Sequence, residues 1–260
     1  MSFDTKTTWD ACGAAFDRYT SAEDSYSENV ERPVIESLLG DLSGASALDL
    51  GCGSATYATR LSGRGARVVG VDLSATMLRL AGERARTGQV ELDLLIADIS
   101  KPLPFSSAQF DLVFTATALH YVEDLQSAMR EMARVLRPQG RLIASVLHPM
   151  STGRFPVRDR DDAGSDEWEG RARWPARYFA GAPRRIQTPW LGFGEVFDEG
   201  RHLDCFHHTL SDYFAAMQSA GLRLTQLREP VPPAAFAARN AARYEEAMSL
   251  PLFLVFAACK

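Results

Sequence analysis

The chain of 260 residues reads as an α/β protein built on a doubly wound sheet, on three observations. Short apolar runs alternate with helix-length segments through its middle, the pattern that gives parallel strands joined by helical crossovers. Three consecutive runs deliver an acidic residue, Asp49, Asp72 and Asp98, to the carboxyl edge, where such a sheet opens its ligand crevice. The first run leads into a glycine turn, Asp49-Leu50-Gly51-Cys52-Gly53.

Taken in order, residues 1–43 are expected to form a helical N-terminal cover, with Trp9, Phe16 and Tyr19 as its large apolar positions and a second helix after Pro33. A core over 44–148 follows, with strands near 46–50, 67–72, 90–97, 110–115 and 140–147. Ala45 to Leu50 ends in glycines and resumes as Thr56 to Leu61, a strand, tight turn and helix. Lacking a Cβ, Gly51 and Gly53 reach backbone angles closed to other residues and let a ligand lie against the main chain. Asp72, after Arg67-Val68-Val69-Gly70-Val71, stands where a carboxylate accepts both hydroxyls of a ribose, so the edge fits a nucleoside. Leu125, Ala128, Met129, Met132 and Leu136 repeat at helical spacing and make one apolar stripe. Arg137-Pro138-Gln139-Gly140 supplies the stop and turn. Residues 209–260 return to the core, with a helix near 209–220 ending at Gly221 and two runs, Leu222 to Arg228 and Leu250 to Ala258, as a terminal strand pair.

Residues 149–208 interrupt the passage from the fifth strand to the next helix. They carry Trp168, Trp174 and Trp190, with Phe155, Tyr178, Phe179, Phe193, Phe197 and Phe206. An aromatic insertion over the carboxyl ends of strands suits a substrate lid that excludes water from an apolar or planar acceptor. A satellite core under a long loop, or a dimer contact, would use the same residues. The Asp159-Arg160-Asp161-Asp162 run reads as a solvated tip.

A formal charge of −5 argues against nucleic acid, which demands a basic face. Cys12, Cys52, Cys205 and Cys259 are too scattered for a zinc or disulfide framework, so no metal is expected. No run approaches the roughly 18 apolar residues of a membrane helix, and no leader pattern opens the chain. A cytoplasmic protein without a membrane partner, monomer or homodimer, is the expectation.

Over roughly Ala45 to Val146 the chain resembles the class I S-adenosylmethionine-dependent methyltransferases, in particular the small-molecule group related to the ubiquinone and menaquinone enzymes. The likeness rests on Ala47-Leu48-Asp49-Leu50-Gly51-Cys52-Gly53, Val69-Gly70-Val71-Asp72-Leu73-Ser74-Ala75-Thr76-Met77-Leu78, Ala97-Asp98, Phe110-Asp111-Leu112-Val113 and Arg134-Val135-Leu136-Arg137-Pro138-Gln139-Gly140, in family order. It departs where the family has a third glycine and this chain has Ala55. The resemblance implies a Rossmann-like seven-stranded sheet with an antiparallel terminal strand, and S-adenosyl-L-methionine as cofactor. It also implies that Asp49, Gly51, Cys52 and Gly53 surround the methionine part, Asp72 the ribose, Leu73 and Met77 the adenine face, and Asp98 with Ile99 the adenine edge. Thr115 and His120 would border the cofactor from the fourth strand. A dinucleotide-binding unit shares the glycine turn and the acid, but Tyr57 and Ala58 sit where its third glycine belongs. The Asn/Asp-Pro-Pro-aromatic motif of base-modifying relatives is absent after the fourth strand, and so is the paired-glutamate loop of arginine-modifying ones.

The implied activity is methyl transfer to an oxygen, nitrogen or carbon of a small, ring-containing metabolite, with secondary metabolism as its setting. A non-catalytic binder of the cofactor or its product, and a protein-directed methyltransferase, are the alternatives. Positioning and desolvation can supply most of the acceleration, and a base is needed only if the acceptor must lose a proton. His148, at the carboxyl end of the fifth strand, is the first candidate, followed by His207 and His208, with Tyr19 as an aromatic that could close over the methyl group. Ordinary hydrogen-bonded packing is the competing account of each histidine.

Overall fold

The computed structural model describes residues 5–153, 178–179, 183–186 and 203–260. The N-terminal cover is helical: α1 (Thr5–Thr20), a π-helical turn (Ser27–Glu31) and α2 (Arg32–Leu39), with Pro33 in its first turn. The central strands are β1 (Ser46–Leu50), β2 (Arg67–Asp72), β3 (Asp93–Ile96), β4 (Phe110–Ala116) and β5 (Leu136–Leu147). Between them run α3 (Thr56–Gly63), α4 (Ala75–Gly88) and α5 (Leu125–Val135), and α6 (Pro149–Thr152) follows β5. In the insertion only a hairpin, β6 (Pro183–Ile186) with β7 (Leu203–Phe206), and Tyr178-Phe179 are described. Its three tryptophans, Phe155, Phe193, Phe197 and the Asp159 run lie outside the described residues, and so does most of the expected lid. The chain then forms α7 (Leu210–Ser219), β8 (Arg223–Arg228), α8 (Ala234–Arg239), α9 (Ala241–Ser249) and β9 (Phe253–Cys259).

The sheet order is β3-β2-β1-β4-β5-β9-β8, with β1 to β5 parallel and β9 antiparallel to both its neighbours. This is the expected Rossmann-like seven-stranded arrangement. Alternation along the buried strands divides the core. Leu48, Val113, Leu142, Ala144 and Phe256 face α5 and α7, whereas Ala47, Leu112, Phe114, Ile143 and Val255 face α2 and α3. Each fully buried side chain of this size is worth roughly 1.5–3 kcal/mol, so the sheet centre is where the fold is secured.

Helix starts follow local chemistry. Ser74 accepts from the Met77 N–H, Asp124 from Ser127, and Thr209 with Asp212 forms a capping box, each worth about 1 kcal/mol. β3 is shorter than expected, and β5 starts at Leu136 because that residue already pairs with Phe110. The expected turn survives inside β5 as a left-handed Gln139 at φ 66°. The helices α8 and α9 were not foreshadowed by the two terminal runs. They lie in the β8–β9 connection and clasp the N-terminal cover through Arg243 to Asp24 (3.1 Å), Arg239 to Asn29 (2.6 Å) and Asn240 to Asp24 (2.8 Å).

Candidate active site

The glycine turn is built by close approach. Gly51 has φ 70°, and a Cβ there would come within 2.5 Å of the Ala118 Cβ. Gly53 has φ 54° with only the Met77 Cε at 4.0 Å, so its need is conformational rather than steric. Ala55 holds the same left-handed region at φ 63° while entirely buried, which explains why glycine is the family residue there. The Gly51 and Cys52 N–H groups both donate to the Val71 carbonyl (2.8 and 2.9 Å). Asp72 completes the tie, accepting from the Gly53 N–H at 2.8 Å and the Ser74 N–H at 2.9 Å.

Beside this turn a cleft of about 620 Å³ runs along the carboxyl edge of the sheet. Gly51, Gly53, Asp72, Leu73, Met77, Asp98 and Ile99 line it. Asp98 also accepts from the Ser100 N–H at 2.8 Å, which fixes the β3 exit. Three strand spacings separate β3 from β4, roughly 14 Å, a length suited to an extended nucleoside-amino acid.

Four residues expected at the cofactor stand behind the lining. Asp49, Thr115 and His120 are buried, and among the described residues Asp49 Oδ2, Thr115 Oγ1 and His120 Nδ1 have no hydrogen-bond partner. Burial, then the Asp72 carboxylate, pushes Asp49 up to about 8 against an opposing Ala58 N–H. Burial and His208 bring His120 down to about 3, so its ring is neutral. Cys52 is buried, with its thiol raised by burial and by Asp49 and Asp72.

The groups expected near the chemistry are placed differently. His148 is buried and absent from the cleft lining. Its Nδ1 accepts from the Met150 N–H at 3.1 Å, capping α6, so the proton sits on Nε2, 2.9 Å from Glu229 Oε1. Neither nitrogen is left to take a proton from an acceptor, which corrects the expectation that this ring faces the crevice. His207 is committed in the same way, to Thr152 Oγ1 (2.8 Å) and the Tyr178 carbonyl (2.7 Å). His208 donates to the Val122 carbonyl at 2.8 Å. Tyr19 packs with Tyr26, Phe236 and Leu147 under the Arg243 guanidinium, and burial raises its phenol to about 12. It does not line the cleft either.

Sequence reasoning missed how α1 is held. Trp9 and Phe16, seven residues apart, face the cleft, while Asp10 and Asp17, at the same spacing, form an adjacent anchoring row. Asp10 accepts from Ser74 Oγ (2.6 Å) and Lys6 (2.6 Å), and despite burial these bonds hold it near 2. Asp17 accepts from Ser54 Oγ and Arg84. The repeated seven-residue spacing was the available signal. Glu31 was also missed. It is wholly buried against Ser145, Tyr57 and Ser27, and burial pushes it up to about 7. A lone buried acid leaves no sequence pattern.

The residues present fit S-adenosylmethionine. Asp49 offers a buried, unpartnered carboxylate oxygen to a cationic amino group, Asp72 faces the cleft for a diol, and the Gly51 turn admits only backbone. Of the two lysines at the cleft, Lys6 is paired with Asp10 and Lys101 is exposed, so no phosphate-binding cluster is present among the described residues.

Comparison with known proteins agrees. Residues 48–144 match a family model described as a methyltransferase domain. Over 140 residues the chain is 34% identical to a malonyl-[acyl-carrier protein] O-methyltransferase of Pseudescherichia vulneris, covering 53% of each chain. Over 124 residues it is 38% identical to a demethylmenaquinone methyltransferase of Mycolicibacterium paratuberculosis, covering 48% of this chain and 51% of that one. The chain thus spans about half the length of these relatives. A solved S-adenosylmethionine-dependent methyltransferase from Mesorhizobium loti superposes with a TM-score of 0.70 at 29% identity, over 88% of this chain and 97% of that one. With the glycine turn, the acidic edge and the single antiparallel strand in place, the chain carries a match to a methyltransferase domain over residues 48–144 and resembles the S-adenosylmethionine-dependent methyltransferases across its sheet.

Proposed function

We propose that the protein transfers a methyl group from S-adenosyl-L-methionine to an oxygen, nitrogen or carbon atom of a small, ring-containing metabolite. The observation that carries this is the cleft itself, which joins Gly51, Asp72 and Asp98 at one end to the aromatic side chains of α1 and β7 at the other. Asp98 would take the adenine amino group, Asp72 the ribose hydroxyls and Asp49 the amino group of the methionine part. Bound there, the cofactor supplies an electrophilic methyl carbon on a sulfonium, a good leaving group. The chain's residues then have to position the acceptor and keep water out, and Trp9, Phe16 and Phe206 supply the apolar wall. None of the described histidines, His120, His148, His207 and His208, lines the cleft, which favours an acceptor that attacks without a histidine base.

Calorimetric titration with S-adenosylmethionine, S-adenosylhomocysteine and NAD in parallel tests the cofactor assignment. Micromolar binding of the first two and none of NAD is expected, and NAD binding alone would overturn the reading. Asp72→Ala should weaken cofactor binding by about 1–3 kcal/mol through loss of paired hydrogen bonds. Because Asp72 also ties the turn to β2, the variant's melting temperature is measured alongside. Unchanged affinity in a folded variant would remove the ribose role.

A further inference from the structure

One end of the cleft remains once the cofactor's partners are assigned. Asp98, Asp72 and Gly51 stand at the ends of β3, β2 and β1, so the next ground along the edge lies over the exit of β4. Tyr121 occupies it, as the last residue of a 3₁₀ turn, Leu119–Tyr121. Trp9 meets Tyr121 edge to face (ring centroids 5.5 Å, 88°) and Phe16 in the same manner (4.9 Å, 82°). Phe206, ending β7, also lines this cleft.

Neither the Tyr121 hydroxyl nor the Trp9 indole N–H has a hydrogen-bond partner among the described residues, although both residues line the cleft. The corner is held from behind. The His120 ring lies against Tyr121 at 4.3 Å and a tilt of 46°, and His208 fixes the neighbouring Val122 carbonyl. Burial pushes the Tyr121 phenol well above its ordinary range, so it stays a neutral donor. Two fixed donors inside a ring-lined corner select for a flat molecule with an oxygen acceptor.

Resting on the methyltransferase reading, we infer that Trp9 and Tyr121 hold the methyl acceptor, a planar molecule stacked against the rings with an oxygen atom accepting from the phenol and the indole. Tyr121 is thereby a residue that touches substrate, and Trp9 sets the preference for planarity.

The full chain, saturated with S-adenosylhomocysteine, is titrated calorimetrically with 4-ethylphenol and with 4-ethylcyclohexanol, which keeps the hydroxyl but not the flat ring. The phenol should bind at least about tenfold more tightly. Tyr121→Phe should weaken phenol binding by about tenfold with S-adenosylhomocysteine affinity and melting temperature unchanged. Trp9→Leu should bring the two alcohols to equal affinity. Equal binding of both alcohols by the parent chain, binding of neither, or a Tyr121→Phe variant that binds the phenol as before overturns the inference. Failure of S-adenosylhomocysteine itself to bind would instead overturn the methyltransferase reading beneath it.

Discussion

His148 shows how a residue's position along the chain and its role can separate. It lies just past the carboxyl end of β5, yet its ring turns to cap α6 and to meet Glu229, the residue after β8. Burial lowers its pKa, an effect that Glu229 partly offsets. His148→Ala should therefore cost about 1–3 kcal/mol of stability, from a lost cap and a lost hydrogen bond, with S-adenosylmethionine affinity retained. Denaturant unfolding and calorimetry check this together. Full stability with turnover lost at saturating acceptor would restore the base role. Gly51 and Gly53 were legible from their spacing, because close approach and left-handed backbone leave few substitutes. At Ala55 the same demand is met by a non-glycine residue at a strain of about 1–2 kcal/mol.

At the scale of elements, the cover α1 is joined to the glycine turn and α4 by a small number of polar contacts. Asp17 bonds Ser54 inside the turn and Arg84 on α4, while Asp10 bonds the Ser74 cap. Gly13 lets α1 approach Met77, where a Cβ would come within 3.0 Å of the sulfur. These contacts are partly exposed, so each contributes about 0.2–1 kcal/mol. Replacing both Asp10 and Asp17 by Asn should speed S-adenosylhomocysteine release by about tenfold while leaving the sheet's stability nearly unchanged. Stopped-flow dissociation reads this directly, and an unaltered release rate would mean that α1 does not cover the bound cofactor. Periodicity located the central strands and α5, since buried alternation and a 3.6-residue stripe are local signals. It missed α8 and α9, whose alanine-rich sequence Ala234-Ala235-Phe236-Ala237-Ala238-Arg239 has little apolar contrast between faces.

For the molecule as a whole, two buried acids set the pH response. Glu31 sits at about 7 and Asp49 at about 8, both raised first by burial. Their folded values exceed their unfolded ones, so the folded state favours the protonated acids. The stability they confer is complete below their unfolded pKa values near 4 and is lost as pH rises through 7 and 8. Below about pH 6.5 the neutral, buried His120 opposes this trend, because its depressed value makes stability rise with pH, so the free protein's melting temperature should fall between pH 6.5 and 8.5, less steeply in Glu31→Gln. A cationic ligand beside Asp49 favours its ionised form, so the stabilisation given by S-adenosylmethionine should grow over the same range. Thermal unfolding with and without ligand measures both trends. A flat profile in both would remove the two acids as the groups responsible. No helix among the described residues is long and apolar enough to cross a membrane.

The sequence by itself determined the sheet, the glycine turn and the three acids along one edge, because each depends on neighbours a few residues away or on the repeating geometry of βα units. Only the tertiary structure decided what the remaining polar groups do. His148 and His207 became structural through partners just after β8, on α6 and in the Tyr178 segment, far away along the chain. Trp9 and Tyr121, separated by more than a hundred residues, became one corner because α1 folds back across the exit of β4. Such pairings are set by packing between distant segments, and the physical chemistry of local sequence carries no term for them.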